Sequence, residues 1–225
     1  MTTAPTTPDP ASGTAVPGDS YEFWLFDLDG TLVDVHTAYA RSVMGRVGER
    51  LGVAVTDRQA ETLWYGASDA RARTLERLGL DPERFWRTFH DVEDPAARAE
   101  STYLYEDAAA IRHLDTPVGL VTHCQEYLTD PVLERHGIAD WFDAVVCCTE
   151  ETGWKPDPAP VETARASLAV EEGDRGVLVG NSPGDIGAAW NAGLDGVHVA
   201  RPGPTGGDRC VLADYRIERL DGIGS

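Results

Sequence analysis

Two aspartates stand two residues apart in Asp27-Leu28-Asp29-Gly30-Thr31, directly after the apolar run Phe23-Trp24-Leu25-Phe26. If the chain turns there, both carboxylates face one pocket. Gly30 allows the turn, and Thr31 adds a hydroxyl. One carboxylate of such a pair can attack an electrophile while the other shuttles a proton. Two close carboxylates also make half of a magnesium site. The plainer alternative is a strand end capped by solvated acids; the apolar run ahead of the pair favours the chemical reading.

Other elements must bring further groups to that pocket. An apolar run that ends in acid and glycine reads as a buried strand feeding a loop. Four more runs follow the same plan: 118–121 ends in Thr122-His123, 144–147 in Thr149-Glu150, 177–179 in Gly180-Asn181-Ser182, and 197–199 in Arg201-Pro202-Gly203. Helix-like segments lie between them, over 106–114, 126–136, 158–168 and 183–192. Pro183 suits a first helical turn and Gly193 a helix end. The alternation predicts an α/β fold, a parallel sheet with helices on both faces. Such sheets bind ligands at the carboxyl ends of their strands, where all of this polar punctuation falls.

Residues 35–103 break the pattern. They hold no convincing strand and read as up to five helices, over 36–51, 57–64, 69–78, 82–90 and, more weakly, 94–100. Asp81-Pro82 and Asp94-Pro95 read as N-cap and first-turn pairs. The stretch is too long for a crossover and reads as an inserted helical module. The resulting plan is a flexible tail over 1–20, a core domain over 21–34 and 104–225, and a helical domain over 35–103.

The Asp27 to Thr31 segment resembles the first motif, DxDGT, of the haloacid dehalogenase-like (HAD) phosphohydrolases. That family's second motif is a Thr or Ser ending the second core strand, matched by Thr122. Its third is a Lys soon followed by Pro, matched by Lys155-Pro156. Its fourth is a glycine followed by acids, often GDxxxD, matched by Gly180-Asn181-Ser182-Pro183-Gly184-Asp185. The resemblance runs in order from Tyr21 to Ile217. Lys155 is its most telling match, because it is the only Lys in the chain.

The resemblance implies a Rossmann-like parallel sheet flanked by helices, with an inserted α-helical cap similar to that of the phosphoglycolate phosphatase-like branch. It implies a Mg²⁺-dependent hydrolase of a small phosphorylated metabolite, acting through an aspartyl-phosphate. Asp27 would be the nucleophile. Asp29 would protonate the leaving alcohol, then deprotonate the attacking water, and offer its backbone carbonyl to the metal. Phosphate and carboxylate are both negative, so cations must neutralise them before they meet. Asp27, Asp29, Asn181 and Asp185 would hold Mg²⁺. Lys155 and the Thr122 hydroxyl would hold phosphate oxygens, with backbone N–H groups of the turn at Gly30 and Thr31 adding a nest.

Asn181 departs from the family pattern, which often has Asp there. An amide oxygen can reach a metal without charge, so weaker Mg²⁺ binding is expected; alternatively Asn181 only caps the helix that starts at Pro183. Dehalogenases of the same fold lack the second Asp of motif one, so Asp29 favours phosphate chemistry. His123 either contacts the substrate or is a loop-surface His. In the helical insert, Arg71, Arg73, Trp64, Tyr65 and His36 could touch a leaving group, and Asp34 belongs to the hinge between core and cap. Caps of this kind exclude water and set specificity. The competing readings are a phosphomutase, a haloacid dehalogenase, and a catalytically weak family member with a binding role, the last motivated by Asn181.

Composition narrows the partners. The 225 residues carry 38 Asp plus Glu against 19 Lys plus Arg, a net charge of -19. That excludes a nucleic-acid binder that works by neutralising phosphates and argues against docking on an anionic membrane face. Eighteen Arg and one Lys beside so many acids resemble the soluble proteins of halophiles. In about 1 M salt the Debye length is only about 3 Å, so surface carboxylates hardly repel. The four cysteines, Cys124, Cys147, Cys148 and Cys210, lack the two-residue spacing of zinc or redox motifs and read as small buried hydrophobes in a reducing cytoplasm. No apolar run is long enough to span a membrane, and the first twenty residues lack the regions of a signal peptide. The expectation is a cytoplasmic monomer or homodimer.

Overall fold

Alternation of side chains across a strand explains the central element. In β1 (Phe23–Phe26) all four residues are buried, Trp24 and Phe26 in one apolar cluster and Phe23 and Leu25 in another. A strand covered on both faces must lie inside a sheet with helices on each side. The computed structural model describes residues 16–171, 173–201 and 211–223. β1 there lies between β4 (Val118–Thr122) and β6 (Gly176–Gly180), both fully buried. The sheet continues outward through β5 (Ala144–Cys147) on one side, and β7 (Asp195–Val199) and β8 (Tyr215–Ile217) on the other. The order is β5-β4-β1-β6-β7-β8, parallel throughout. The three strands whose ends carry Asp27, Thr122 and Gly180 are therefore adjacent, which sets three motifs side by side at one edge.

Helices α6 (Glu126–His136), α7 (Ala159–Leu168) and α8 (Pro183–Asn191) connect the core strands. Five more helices follow β1 in sequence: α1 (Thr37–Leu51), α2 (Asp57–Tyr65), α3 (Ser68–Leu78), α4 (Pro82–Val92) and α5 (Pro95–Ser101). They share an apolar cluster of their own, with Val43, Met44, Leu63, Leu75 and Phe85 at its centre. The proline pairs act as their sequence suggests: Asp81 and Asp94 accept from the Arg84 and Ala97 N–H groups at 2.9 and 2.8 Å.

Several expectations need correction. Val33–Val35 forms β2 and Thr102–Leu104 forms β3, an antiparallel ribbon at both exits of the helical layer. β3 thus falls within the stretch expected to hold no strand; three-residue strands are too short to show a period. The segment 106–114 contains a 3-10 helix at Ala108–His113 instead of an α-helix. β8 was not anticipated, because Tyr215-Arg216-Ile217 is short and carries a charge. Of the supposed tail over 1–20, residues 1–15 lie outside the described residues, but Val16 is fully buried and its N–H donates to Gly222 O at 3.1 Å. One apolar residue docked beside Ile223 ties down that end of the segment. Cys124 and Cys147 are half-buried and Cys148 is buried, while Cys210 lies outside the described residues.

Candidate active site

The Asp27 to Thr31 loop is built by backbone chemistry. The Asp27 N–H donates to Val179 O at 2.9 Å, extending the β1–β6 ladder by one step. The chain then folds back, with Thr31, Leu32 and Val33 N–H groups all directed at Leu28 O. Gly30 has φ +80°, and a Cβ there would meet Asn181 Nδ2 at 1.9 Å. Only glycine accommodates both that conformation and that approach. Arg201, buried beside the loop, donates to Thr31 O from Nη2 at 2.7 Å and Nε at 3.2 Å, and pairs with Asp107 at 2.6 Å.

Lys155 anchors the centre. Its Nζ lies 2.8 Å from Asp27 Oδ1, 2.6 Å from Asp185 Oδ1 and 2.7 Å from Val121 O. All three side chains are buried. Burial pushes the Asp27 carboxyl up to about 7 although the Lys155 ammonium draws it down. In Asp185 burial acts the same way, but Lys155 outweighs it and holds the group below the usual carboxylate range. Burial would lower Lys155, yet Asp185 and Asp27 raise it, so it stays charged. Thr31 Oγ1 donates to Asp27 Oδ2 at 3.2 Å. Thr122, at the end of β4, accepts from the Cys124 N–H at 3.0 Å.

Asp185 is placed by a capping box. Ser182 Oγ accepts from the Asp185 N–H at 3.3 Å, and Asp185 Oδ2 accepts from the Ser182 N–H at 2.9 Å. Ser182, not Asn181, therefore caps α8, which corrects the alternative reading of Asn181. The local reason is spacing: a cap reaches the N–H three residues on, and from Ser182 that residue is Asp185. The other Asp185 oxygen, Oδ1, is buried against the Lys155 ammonium.

A cavity of about 780 Å³ opens between this sheet edge and the helical layer. It brings together Asp27, Asp29, Gly30, Thr122, His123, Lys155, Asn181 and Asp185; Thr31 is buried just behind them. Of the helical residues named from sequence, Trp64, Tyr65 and Arg71 line it and so does Asp34. Two do not: Arg73 is exposed and paired with Asp69 at 2.7 Å, and His36 lies with its ring centroid 5.2 Å from that of Tyr103. His123 stands edge-on to Trp154, and burial, helped by the nearby Lys155 charge, lowers it to about 4. Its imidazole is neutral at neutral pH. Burial raises Asp34 to about 6 and Glu93 to about 7.

Sequence reasoning missed Arg98 and Glu93. Arg98, on α5 in the cavity wall, pairs with Asp29 Oδ1, and its Nη1 lies 3.9 Å from Glu93 Oε1. The chain supplies many arginines on helix faces, and nothing local distinguishes this one. The lining carries five carboxylates, Asp27, Asp29, Asp34, Glu93 and Asp185, against three cations, Arg71, Arg98 and Lys155. Among the described residues no three His, Cys, Asp or Glu side chains converge as a ready metal site. The donor set is two carboxylates on one ammonium, an amide and backbone carbonyls. Hard oxygen donors and an excess of negative charge fit a hard divalent cation.

Comparison with known proteins identifies the family. The family profile described as Haloacid dehalogenase-like hydrolase matches residues 24–199. A phosphoglycolate phosphatase of Cereibacter sphaeroides is 33% identical over 190 residues, covering 76% of this chain and 81% of that protein. The pyrophosphatase PpaX of Bacillus velezensis is 26% identical over 181 residues, covering 78% of this chain and 82% of that protein. The crystal structure of CbbY from Rhodobacter sphaeroides, in complex with phosphate, superposes with a TM-score of 0.68 at 20% identity, covering 89% of this chain and 95% of that one. With a match over most of its length and its motif residues gathered at one sheet edge, the chain belongs to the haloacid dehalogenase-like hydrolases and is a phosphatase of that family.

Proposed function

We propose that the chain hydrolyses a small phosphomonoester with Mg²⁺, through an aspartyl-phosphate on Asp27. The observation that carries this reading is the buried Asp27–Lys155–Asp185 cluster at the carboxyl end of β1, lining one cavity together with Asp29. Asp27 attacks phosphorus while the ester P–O bond breaks, and Asp29 gives the leaving oxygen its proton. Asp29 then takes a proton from the water that splits the acyl-phosphate. Lys155 and Thr122 hold non-bridging oxygens; the Gly30 and Thr31 N–H groups are already taken by Val33 O and Leu28 O, so the nest expected at that turn plays no part. Mg²⁺, held by Asp27, Asp185, the Asn181 amide and the Asp29 carbonyl, would supply charge neutralisation between nucleophile and phosphate. The residues over 35–103 act as a cap that shuts water out of the cavity. Neutral His123 and Trp154 offer a wall to the substrate.

The test is hydrolysis of para-nitrophenyl phosphate and of a panel of small phosphomonoesters by the full chain, in about 1 M KCl chosen to suit its acid excess. The names of the relatives put 2-phosphoglycolate first in that panel and add pyrophosphate, an anhydride, beside it. Turnover that disappears with EDTA and in Asp27→Asn is expected. Turnover that survives either treatment would overturn the mechanism.

A further inference from the structure

Arg98 stands 69 residues from its partner Asp29 in sequence. Its side chain is 4% exposed, in the wall of the cavity, with the guanidinium carbon 5.5 Å from the centre of the Trp64 ring. Nη2 donates to Asp29 Oδ1, while Nε is buried and has no hydrogen-bond partner among the described residues. Nε and Nη2 point to the same side of a guanidinium and form the fork that a carboxylate fills with both oxygens. Here one Asp29 oxygen takes half of that fork. A buried N–H without an acceptor is costly and calls for a reason. The two partners also differ in freedom: the Asp29 side chain is 36% exposed, so it can move into solvent while Arg98 stays.

We propose that Arg98 reads a carboxylate on the leaving group of the substrate. The substrate class is a phosphomonoester whose leaving group carries a carboxylate. This rests on the phosphatase reading above. The incoming carboxylate takes Nε and Nη2 together and displaces Asp29 from Nη2, which frees Asp29 to face the ester oxygen. Recognition and release of the proton carrier are then one event. An ester with an uncharged leaving group leaves Asp29 tied to Arg98 and reacts more slowly. A planar carboxylate suits the fork better than a second phosphate, whose oxygens are tetrahedral.

The experiment compares kcat/KM for 2-phosphoglycolate, ethyl phosphate and pyrophosphate in the full chain and in Arg98→Lys and Arg98→Met, with melting temperatures to confirm folding. Lys keeps the charge and loses the fork. Both variants should lose about 10- to 100-fold on 2-phosphoglycolate, while ethyl phosphate turnover should rise in Arg98→Met, where Asp29 is no longer tied. An equal loss on ethyl phosphate, no loss on 2-phosphoglycolate, or a loss confined to pyrophosphate would overturn the proposal. Calorimetric titration of Asp27→Asn with 2-phosphoglycolate and ethyl phosphate, with and without Arg98→Met, reads the same preference without turnover. Carboxylate-dependent binding in a chain that hydrolyses no phosphomonoester sinks the phosphatase reading and supports the role of Arg98. An active enzyme indifferent to Arg98 sinks only the latter.

Discussion

At the scale of single residues, the site is governed by charge kept out of water. Lys155 neutralises two buried carboxylates at once, so removing it leaves both without a counterion. Lys155→Met is expected to destabilise the fold by about 3–5 kcal/mol. The loss should be larger at pH 8 than at pH 5, since protonating Asp27 and Asp185 relieves it; urea denaturation at both pH values checks this. Glu93 carries the opposite sign of effect. Burial raises it from 4.5 to about 7, against the pull of Arg98, so it favours the folded state when protonated. Its contribution is present below about pH 4.5 and is lost as pH rises through 7. Glu93→Gln should match the parent near pH 4 and exceed it by roughly 1–3 kcal/mol at pH 8, which thermal denaturation across that range measures. Asn181 is an uncharged oxygen donor beside a site of acids. Asn181→Asp should lower the Mg²⁺ concentration for half-maximal activity by about tenfold; an unchanged Mg²⁺ titration would show that this position does not touch the metal.

At the scale of elements, loops following three neighbouring strands do the positioning. β4, β1 and β6 are neighbours in the sheet, so the loops after them share the space above its edge. The Asp27 to Thr31 loop is the tightest of these. Gly30→Ala would need a left-handed Ala and a Cβ 1.9 Å from Asn181 Nδ2. The backbone term alone costs about 1–2 kcal/mol, and Asn181 must also move. Both a lower melting temperature and a fall in kcat of at least about tenfold are expected, since small misplacements of reacting groups are expensive. The capping box at α8 was legible as a helix start after Gly180, but sequence did not reveal that Ser182 does the capping and that Asp185 answers it. The antiparallel β2–β3 ribbon was illegible because each strand has only three residues. It places Asp34 under the Tyr105 hydroxyl, which donates to it at 3.1 Å.

At the scale of the whole molecule, the net charge of -19 is the dominant long-range term. Repulsion among surface carboxylates weakens the compact state and is screened by salt. The melting temperature should climb by roughly 5 °C between about 0.1 and 1 M KCl, as differential scanning calorimetry would record. A flat response would mean that ion pairs such as Arg41–Asp57 and Arg175–Asp195 already compensate the excess locally. No helix among the described residues is long and apolar enough to cross a membrane.

The sequence by itself determined the parallel sheet, the turn that presents Asp27 and Asp29, and the order of Thr122, Lys155 and Asp185 along the chain. These follow from local causes: apolar runs, a glycine that permits positive φ, and prolines at first turns. Tertiary structure alone decided that Lys155 bridges Asp27 and Asp185, that Arg201 grips Thr31, and that Arg98 faces Asp29. Each of these contacts joins residues far apart in sequence. They depend on how α5 seats on α6 and how the helical layer closes over the sheet, and no local periodicity encodes the relative placement of two packed elements.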